Sequence, residues 1–450
     1  MNKPRSSNNK KPQESVKGIT AISVRGYKSL FDECRLEIRP LTILAGANSS
    51  GKSSVIQPLL LLKQTLEASY DPGPLLLNGP NVQFTSADQL FSRVTEKNAI
   101  DKFTIKLTAD GEIFLANTFK KDPRKGIELV EMEYREGKNT TVIRADMTAQ
   151  EIASSLVSAM HNLDKLIPGW ESIFKMLFEP NALKIVRKRC FLKFELPQGG
   201  EAFVSFPNVL FEYYIRKLIH VPGFRGNPER TYKTTASGPE FPGTFENYVA
   251  SVVNYWQVSE DHRLKDLGNW LETLGLTWKV EAKPVDDTQV ELHVGRLPHS
   301  ARGGIRDMVS IADVGFGVSQ TLPVLVALLT AEPGQLVYLE QPEIHLHPRA
   351  QVALAQVLAD AANRGVRVIA ETHSSLLLLG VQSLVAEGKI SPDKIKLHWF
   401  KRRNDGVTEI TSTDLDEAGA FGDWPEDFAD VALETESRYL NAVELRRGTQ

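Results

Sequence analysis

The octet Gly-Ala-Asn-Ser-Ser-Gly-Lys-Ser at residues 46–53 constrains the chain more than any other stretch. It follows the apolar run LTILA and precedes SVIQPLLLLKQTLEAS. Those flanks read as a buried strand and a helix. A loop of the form G-x-x-x-x-G-K-[ST] in that setting folds its backbone N–H groups around phosphate and aims a helix N-terminus at it. Gly46, Asn48, Ser49, Ser50, Gly51 and Ser54 belong to that cradle. Lys52 reaches the β- and γ-phosphates, and the Ser53 hydroxyl ligates Mg²⁺. Pro58 inside the helix predicts a kink or a late start.

A chain of 450 residues fits one large or two medium domains. The hydrophobic share of 42% and charged share of 24% are those of a globular protein. No apolar run reaches membrane-spanning length. Two cysteines, Cys34 and Cys190, exclude a disulfide framework and a four-cysteine zinc site. Residues 1–17 are polar, read as a disordered tail, and lack the apolar core of a secretory signal. A cytoplasmic protein without membrane contact is expected. The net charge of -3 neither announces nor excludes nucleic acid.

Order begins with the strand-like ITAISVRGYKSLF. Residues 101–210 mix strands such as FTIKLTA with one helical stretch, AQEIASSLVSAMHNLDKLIPGW. Residues 221–244 form a long Pro/Gly-rich loop, the kind that carries function or disorder. A helix near 245–275 and the strands TWKVEAK and TQVELHV follow. The last third alternates helix and strand, which predicts a mostly parallel sheet.

QLVYLEQPEIHLHP places carboxylates at the end of an apolar strand. A phosphate-loop enzyme needs such a group near Mg²⁺, and Glu340 is the candidate. Glu343, His345 and His347 follow. Two histidines at i, i+2 also admit zinc, although no third ligand is apparent. VRVIAETHSS ends its strand in Glu371, Thr372 and His373. A polar residue there faces the same crevice, and His373 is a candidate γ-phosphate sensor. DVGFGVSQTLPVLVALL places Ser319 as the N-cap of an apolar helix.

The order of these motifs resembles the ABC-type ATPase heads of the SMC, RecF and OLD-like group, and most nearly bacterial AAA-family ATPases of the OLD-like kind. GYKSLFDECRLEI looks like their opening strand and turn, with Lys28 near the nucleotide. GANSSGKSS is the Walker A loop and LEQPEIHLHP the Walker B strand and D-loop. ETHS is the switch histidine. VGFGVSQ, with Gly315, Gly317, Ser319 and Gln320, occupies the signature position. LLLNGPNVQF resembles the segment that brings polar residues toward the metal, with Gln83 as the Q-loop residue. The likeness covers residues 18–95 and 305–430 and is thin between them.

The resemblance implies an α/β P-loop fold: an ABC-ATPase-type head, mostly parallel in its sheet, interrupted by an α+β insertion. Residues 18–100 are the lobe with Walker A, and 101–300 a lid or partner-binding insertion. Residues 301–410 are the second lobe, and 411–450 a C-terminal extension. ATP and Mg²⁺ are the implied cofactors. ATP lies between two heads, so the chain is at least a homodimer. The family's Asp-Glu-Pro reads Glu340-Gln341-Pro342 here, and Gln341 cannot act as a general base. Hydrolysis is expected to be slow, with Glu343 assisting. The acidic set and second sheet of a Toprim nuclease are missing, so an intrinsic nuclease is not expected.

The expected function is a sensor–switch ATPase of bacterial anti-phage defence, acting with a separate effector such as a nuclease. The alternatives are a DNA-repair or chromosome-maintenance ATPase and a non-hydrolysing, ATP-assembled scaffold. Arg225, Arg230 and Tyr232 in the Pro/Gly-rich loop are candidates for contact with phosphate, nucleic acid or a partner head. Lys184, Arg187, Lys188 and Arg189 read as one basic helix, and Lys401, Arg402 and Arg403 as a basic run after a strand. Such runs are usually solvated faces, and nucleic-acid contact stays open.

Overall fold

A computed structural model describes residues 18–93, 100–110, 113–124, 126–148, 150–152, 155, 184–195, 208–235, 238, 240–296, 307–422 and 437–441. The expected N-terminal tail lies outside these residues. So does most of the helical stretch after Ala149, of which Gln150–Ile152 is helical.

The chain opens with β1 (Ile19–Arg25), β2 (Cys34–Glu37), β3 (Leu41–Gly46) and α1 (Lys52–Glu67). Next come β4 (Lys102–Ala109), β5 (Ile113–Asp122), β6 (Gly126–Glu136), β7 (Asn139–Arg144) and the hairpin strands β8 (Lys184–Lys188) and β9 (Phe191–Glu195). The middle continues with α2 (Asn208–Arg216), β10 (Ile219–Val221), β11 (Tyr232–Lys233), α3 (Val249–Val258), α4 (Arg263–Thr273), β12 (Val280–Pro284), β13 (Gln289–Gly295) and β14 (Met308–Ser310). The last part alternates α5 (Phe316–Thr330), β15 (Leu336–Glu340), α6 (Pro348–Asn363), β16 (Arg367–Thr372), α7 (Ser375–Ala386) and β17 (Ile395–Arg402), then ends on β18 (Thr408–Thr413).

The fold is α/β. Its central sheet runs β10-β15-β16-β3-β17-β18, parallel except for β18. Parallel strands covered on both faces read as continuous apolar runs, and LTILA and VRVIA do. Side chains alternate between two cores. Leu41, Ile43, Val337, Leu339 and Val368 face the helices α5, α6 and α7. Leu44, Tyr338 and Ile369 face α1 and the antiparallel sheet β2-β1-β4-β5-β6-β7. That second sheet draws β1 and β2 from residues 18–100 and β4–β7 from residues 101–300. A third sheet, β11-β13-β12 with β14 on β13, packs beside α3. Among the described residues no helix is long and apolar enough to cross a membrane.

Four local expectations are corrected. Lys184–Lys188 is a strand, not a helix, because Arg189 takes a left-handed turn (φ 55°) and folds β8 onto β9. The helix expected over 245–275 is two helices. Glu260 is left-handed (φ 53°), and Asp261 Oδ1 accepts from Arg263 N at 2.9 Å to start the second. α1 starts at Lys52 and runs through Pro58 to Glu67, so proline causes no late start. Ser319 is not an N-cap. Gly315 holds that position, and Ser319 Oγ donates back to Phe316 O within the first turn.

Candidate functional site

The phosphate loop leaves β3 and enters α1 at the carboxyl end of the parallel sheet. Gly46 (φ 142°) and Gly51 (φ 102°) hold conformations that side chains resist. A Cβ on Gly46 would strike the Phe400 carbonyl, and one on Gly51 would strike Thr408 Oγ1. Lys52 Nζ donates to the Gly46 and Ala47 carbonyls at 2.9 and 2.8 Å. Its ammonium therefore hangs over the loop's own oxygens. Burial lowers its pKa, against the pull of Glu371 and Glu343. Asn48 and Ser49 are exposed, and Ser50 is buried with no partner for its Oγ.

A cavity of about 480 Å³ opens above the loop, lined by Ser49–Ser54, Lys28, Arg93, Glu371 and Arg402 among others. Lys28 donates to Gln57 Oε1 at 2.6 Å and lies 4.5 Å above the Phe84 ring. Arg402 donates to Ser49 O at 3.3 Å. The cavity is thus ringed by cations and ends on a glycine cradle. A polyphosphate of the size of a nucleotide tail fits that chemistry.

A second crevice holds Ser53, Glu340, Gln341, Gln320, His345 and Glu371 together. Glu340 is aimed by two donors. His220 Nε2 lies 3.1 Å from its Oε1, and Gly223 N donates to Oε2 at 3.1 Å. Burial works to raise the Glu340 pKa, but the His220 contact, the Gly223 N–H and Arg225 outweigh it, and the net shift is downward. His220 Nδ1 lies 3.0 Å from Asn81 Oδ1, so a chain of contacts runs Asn81–His220–Glu340. Glu371, opposite Glu340 in register, shifts upward through burial and the neighbouring Glu340 charge. The donor set is hydroxyl and carboxylate oxygen, which suits Mg²⁺.

Glu343 is buried. Its Oε1 accepts from Thr372 Oγ1 at 2.6 Å and His373 N at 3.1 Å, while its Oε2 is buried without a partner. His373 lies near Lys52 and the Gly46 carbonyl. Burial and the Lys52 charge lower its pKa, against that carbonyl. Gln341 is left-handed (φ 44°), and its N–H donates to Glu371 O at 2.8 Å.

The remaining candidates make other contacts. Gln83, the expected Q-loop residue, is exposed and bridges Asn78, and no contact joins it to the acids; Asn81, two residues earlier, touches His220, which in turn touches Glu340. Gly315, Gly317 and Ser319 do not line the phosphate cavity of their own chain. Gly317 packs by Leu276 and His345. Gln320 donates to Gly226 O at 2.7 Å. His347 caps α6 by accepting from Arg349 N, and among the described residues no group of three or more His, Cys, Asp or Glu could hold a metal ion. The histidine pair is accounted for by His345 beside Phe316 and His347 at the cap.

The Pro/Gly-rich loop is used internally. Arg225 is buried, donates to the carbonyls of Gln320, Glu340 and Gln341, and has its pKa lowered by burial to about 10. Arg230 pairs with Asp313, and Tyr232 accepts from Glu229 N. In the basic hairpin, Arg187 pairs with Asp71 and Arg189 donates to the last carbonyls of α1. Sequence reasoning missed Asn81, His220 and Tyr338 and read Arg402 only as part of a basic run; the places of His220, Tyr338 and Arg402 are set by pairings across the sheet.

Residues 18–194 match the family described as AAA ATPase domain. Residues 276–379 match the one described as AAA domain, putative AbiEii toxin, Type IV TA system. No curated protein sequence matches the chain. Among solved structures, an SMC head bound to the C-terminal winged-helix domain of ScpA is 11% identical, covers 89% of this chain and 99% of its own, with TM-score 0.48. The SMC head domain of Thermotoga maritima is 11% identical, covers 88% and 98%, with TM-score 0.39. An SMC head with an extended coiled coil, bound to a ScpA C-terminal domain from Pyrococcus furiosus, is 10% identical, covers 95% and 100%, with TM-score 0.44.

Proposed function

We propose that the chain carries an ABC-type AAA ATPase head and is a slowly hydrolysing, nucleotide-gated dimeric switch. One observation carries the reading. Lys52 sits in a glycine cradle whose next residue, Ser53, stands beside two carboxylates at the carboxyl end of a parallel sheet. In this reading Lys52, the loop N–H groups and Lys28 bind ATP. Ser53 and Glu340 hold Mg²⁺, which neutralises phosphate charge when bound.

Gln341 supplies no base, so turnover is slow. Glu343 is the substitute this reading favours, because its Oε2 has no partner. His373 senses the γ-phosphate. Gly317 and Ser319 of one copy complete the site of the other; in their own chain neither lines the phosphate cavity. ATP then acts by binding the closed dimer better than the open chains.

The biological setting we favour is bacterial anti-phage defence with a separate effector. Direct DNA maintenance is the second reading, supported by the exposed Lys184 and Lys401. DNA-stimulated hydrolysis with a steep salt dependence distinguishes it.

Light scattering without nucleotide, with ATP–Mg²⁺ and with ADP tests the switch. Wild type should gain mass in ATP alone, and Lys52→Ala and Ser319→Arg should not respond. A mass that is the same in every state would remove ATP gating and leave a constitutive scaffold.

A further inference from the structure

Glu371 is the penultimate residue of β16, the strand between the phosphate-loop strand β3 and the acidic strand β15. Its register partners are Glu340 and Leu44. Its Oε1 accepts from Ser53 Oγ at 3.0 Å, and its Oε2 accepts from the Tyr338 hydroxyl at 2.8 Å. We propose that Glu371 belongs to the cation site, as proton acceptor for Ser53 and as the second carboxylate facing Glu340. The inference rests on the ATP–Mg²⁺ reading above.

A serine hydroxyl that turns its lone pairs to a cation must send its proton elsewhere. Glu371 is where the Ser53 proton points. A carboxylate behind a ligand fixes its orientation and makes it a stronger donor. Tyr338 is fully buried and holds the other oxygen, so Glu371 cannot swing away. The Gln341 N–H, donated to the Glu371 carbonyl, ties the two strand ends together. Glu340 has its own orienting donors in His220 and Gly223. Two carboxylates from adjacent strands and one hydroxyl thus face one crevice. The charge that Gln341 does not bring to the Glu340-Gln341 pair comes from the neighbouring strand instead.

The test uses the full chain with a non-hydrolysable ATP analogue, and Mn²⁺ followed by electron paramagnetic resonance. Metal-free analogue binding is measured alongside. Glu371→Gln removes a negative charge from the phosphate cavity, so metal-free binding should hold or tighten, while Mn²⁺ binding weakens about 10- to 100-fold. Tyr338→Phe should shift Mn²⁺ affinity in the same direction by less, and it carries the test alone if Glu371→Gln does not fold. Wild-type Mn²⁺ affinity in the folded variants would overturn the proposal. Failure of wild type to bind the metal-free analogue would instead sink the ATP reading, which this arm separates.

Discussion

Thr408 holds Ser50: its Oγ1 donates to the Ser50 carbonyl at 2.8 Å, from the last strand of the sheet to the phosphate loop. The same hydroxyl lies 2.8 Å from Ser29 Oγ. A loop built from glycines is mobile by itself, and here Thr408 of β18 ties it to the turn between β1 and β2.

Thr408→Val should therefore loosen the loop without touching nucleotide. Loss of one buried bond costs about 1 kcal/mol of stability. ATP affinity should fall several-fold. Thermal melting with and without the ATP analogue checks both. An unchanged affinity would mean that the loop is held by its own turns.

Turnover should respond oppositely at two neighbouring positions. Gln341→Glu puts a carboxylate into the crevice that holds Ser53 and Glu371, and should raise ATP hydrolysis about tenfold or more. Glu343→Gln should lower it, by about a hundredfold if Glu343 is the base. A steady-state phosphate-release assay reads both. Unchanged activity in Glu343→Gln would leave that residue as the clamp on Thr372 and His373 alone.

The far end of α1 carries a buried ion pair. Lys63 and Glu67 contact each other, Lys63 Nζ donates to Phe241 O at 3.0 Å, and Gly243 N donates to Glu67 at 3.0 Å. Lys63→Met leaves the Glu67 charge buried alone and should cost about 3–5 kcal/mol. The double variant Lys63→Met/Glu67→Leu should recover most of that in denaturant titrations. If the double variant is as weak as the single one, the pair matters through Phe241 and Gly243 instead.

His398 predicts an acid limb in stability. It is buried, with Nδ1 2.7 Å from Ser412 Oγ and Nε2 2.9 Å from Glu37 O, and burial lowers its pKa to about 4. A free histidine titrates near 6.5. Between those values the unfolded ring takes a proton that the folded one refuses. Stability is full above about pH 6.5, falls as pH drops through the window, and levels off below about 4. The gap converts to about 3 kcal/mol. His398→Asn should flatten this part of the curve relative to wild type. Parallel curves would assign the acid limb to other groups.

The legibility of the site followed the range of its contacts. Lys52, Ser53, Glu340 and His373 lie in runs whose strand–loop or strand–turn pattern is local, and the sequence placed them in the loop before a helix or just at a strand end. His220 and Tyr338 are register partners across β10 and β15, and nothing within either segment encodes that pairing. Arg402 read as part of a surface run because its target, Ser49, arrives through the parallel pairing of β17 with β3. The basic segment at 184–189 failed for a different reason. Five residues of a charged, amphipathic strand offer too short a window to separate alternation from helical spacing. Asn81 and Gln83 differ only in which side of a bridged loop they face.

The strand order also sets a schedule for synthesis. Leu41–Gly46 lies between β16 and β17, and both are translated near the end of the chain. Elongation at roughly 5–20 residues per second leaves that apolar strand unpaired on the ribosome for on the order of half a minute. The segment that leads into the phosphate loop is therefore made early and paired late.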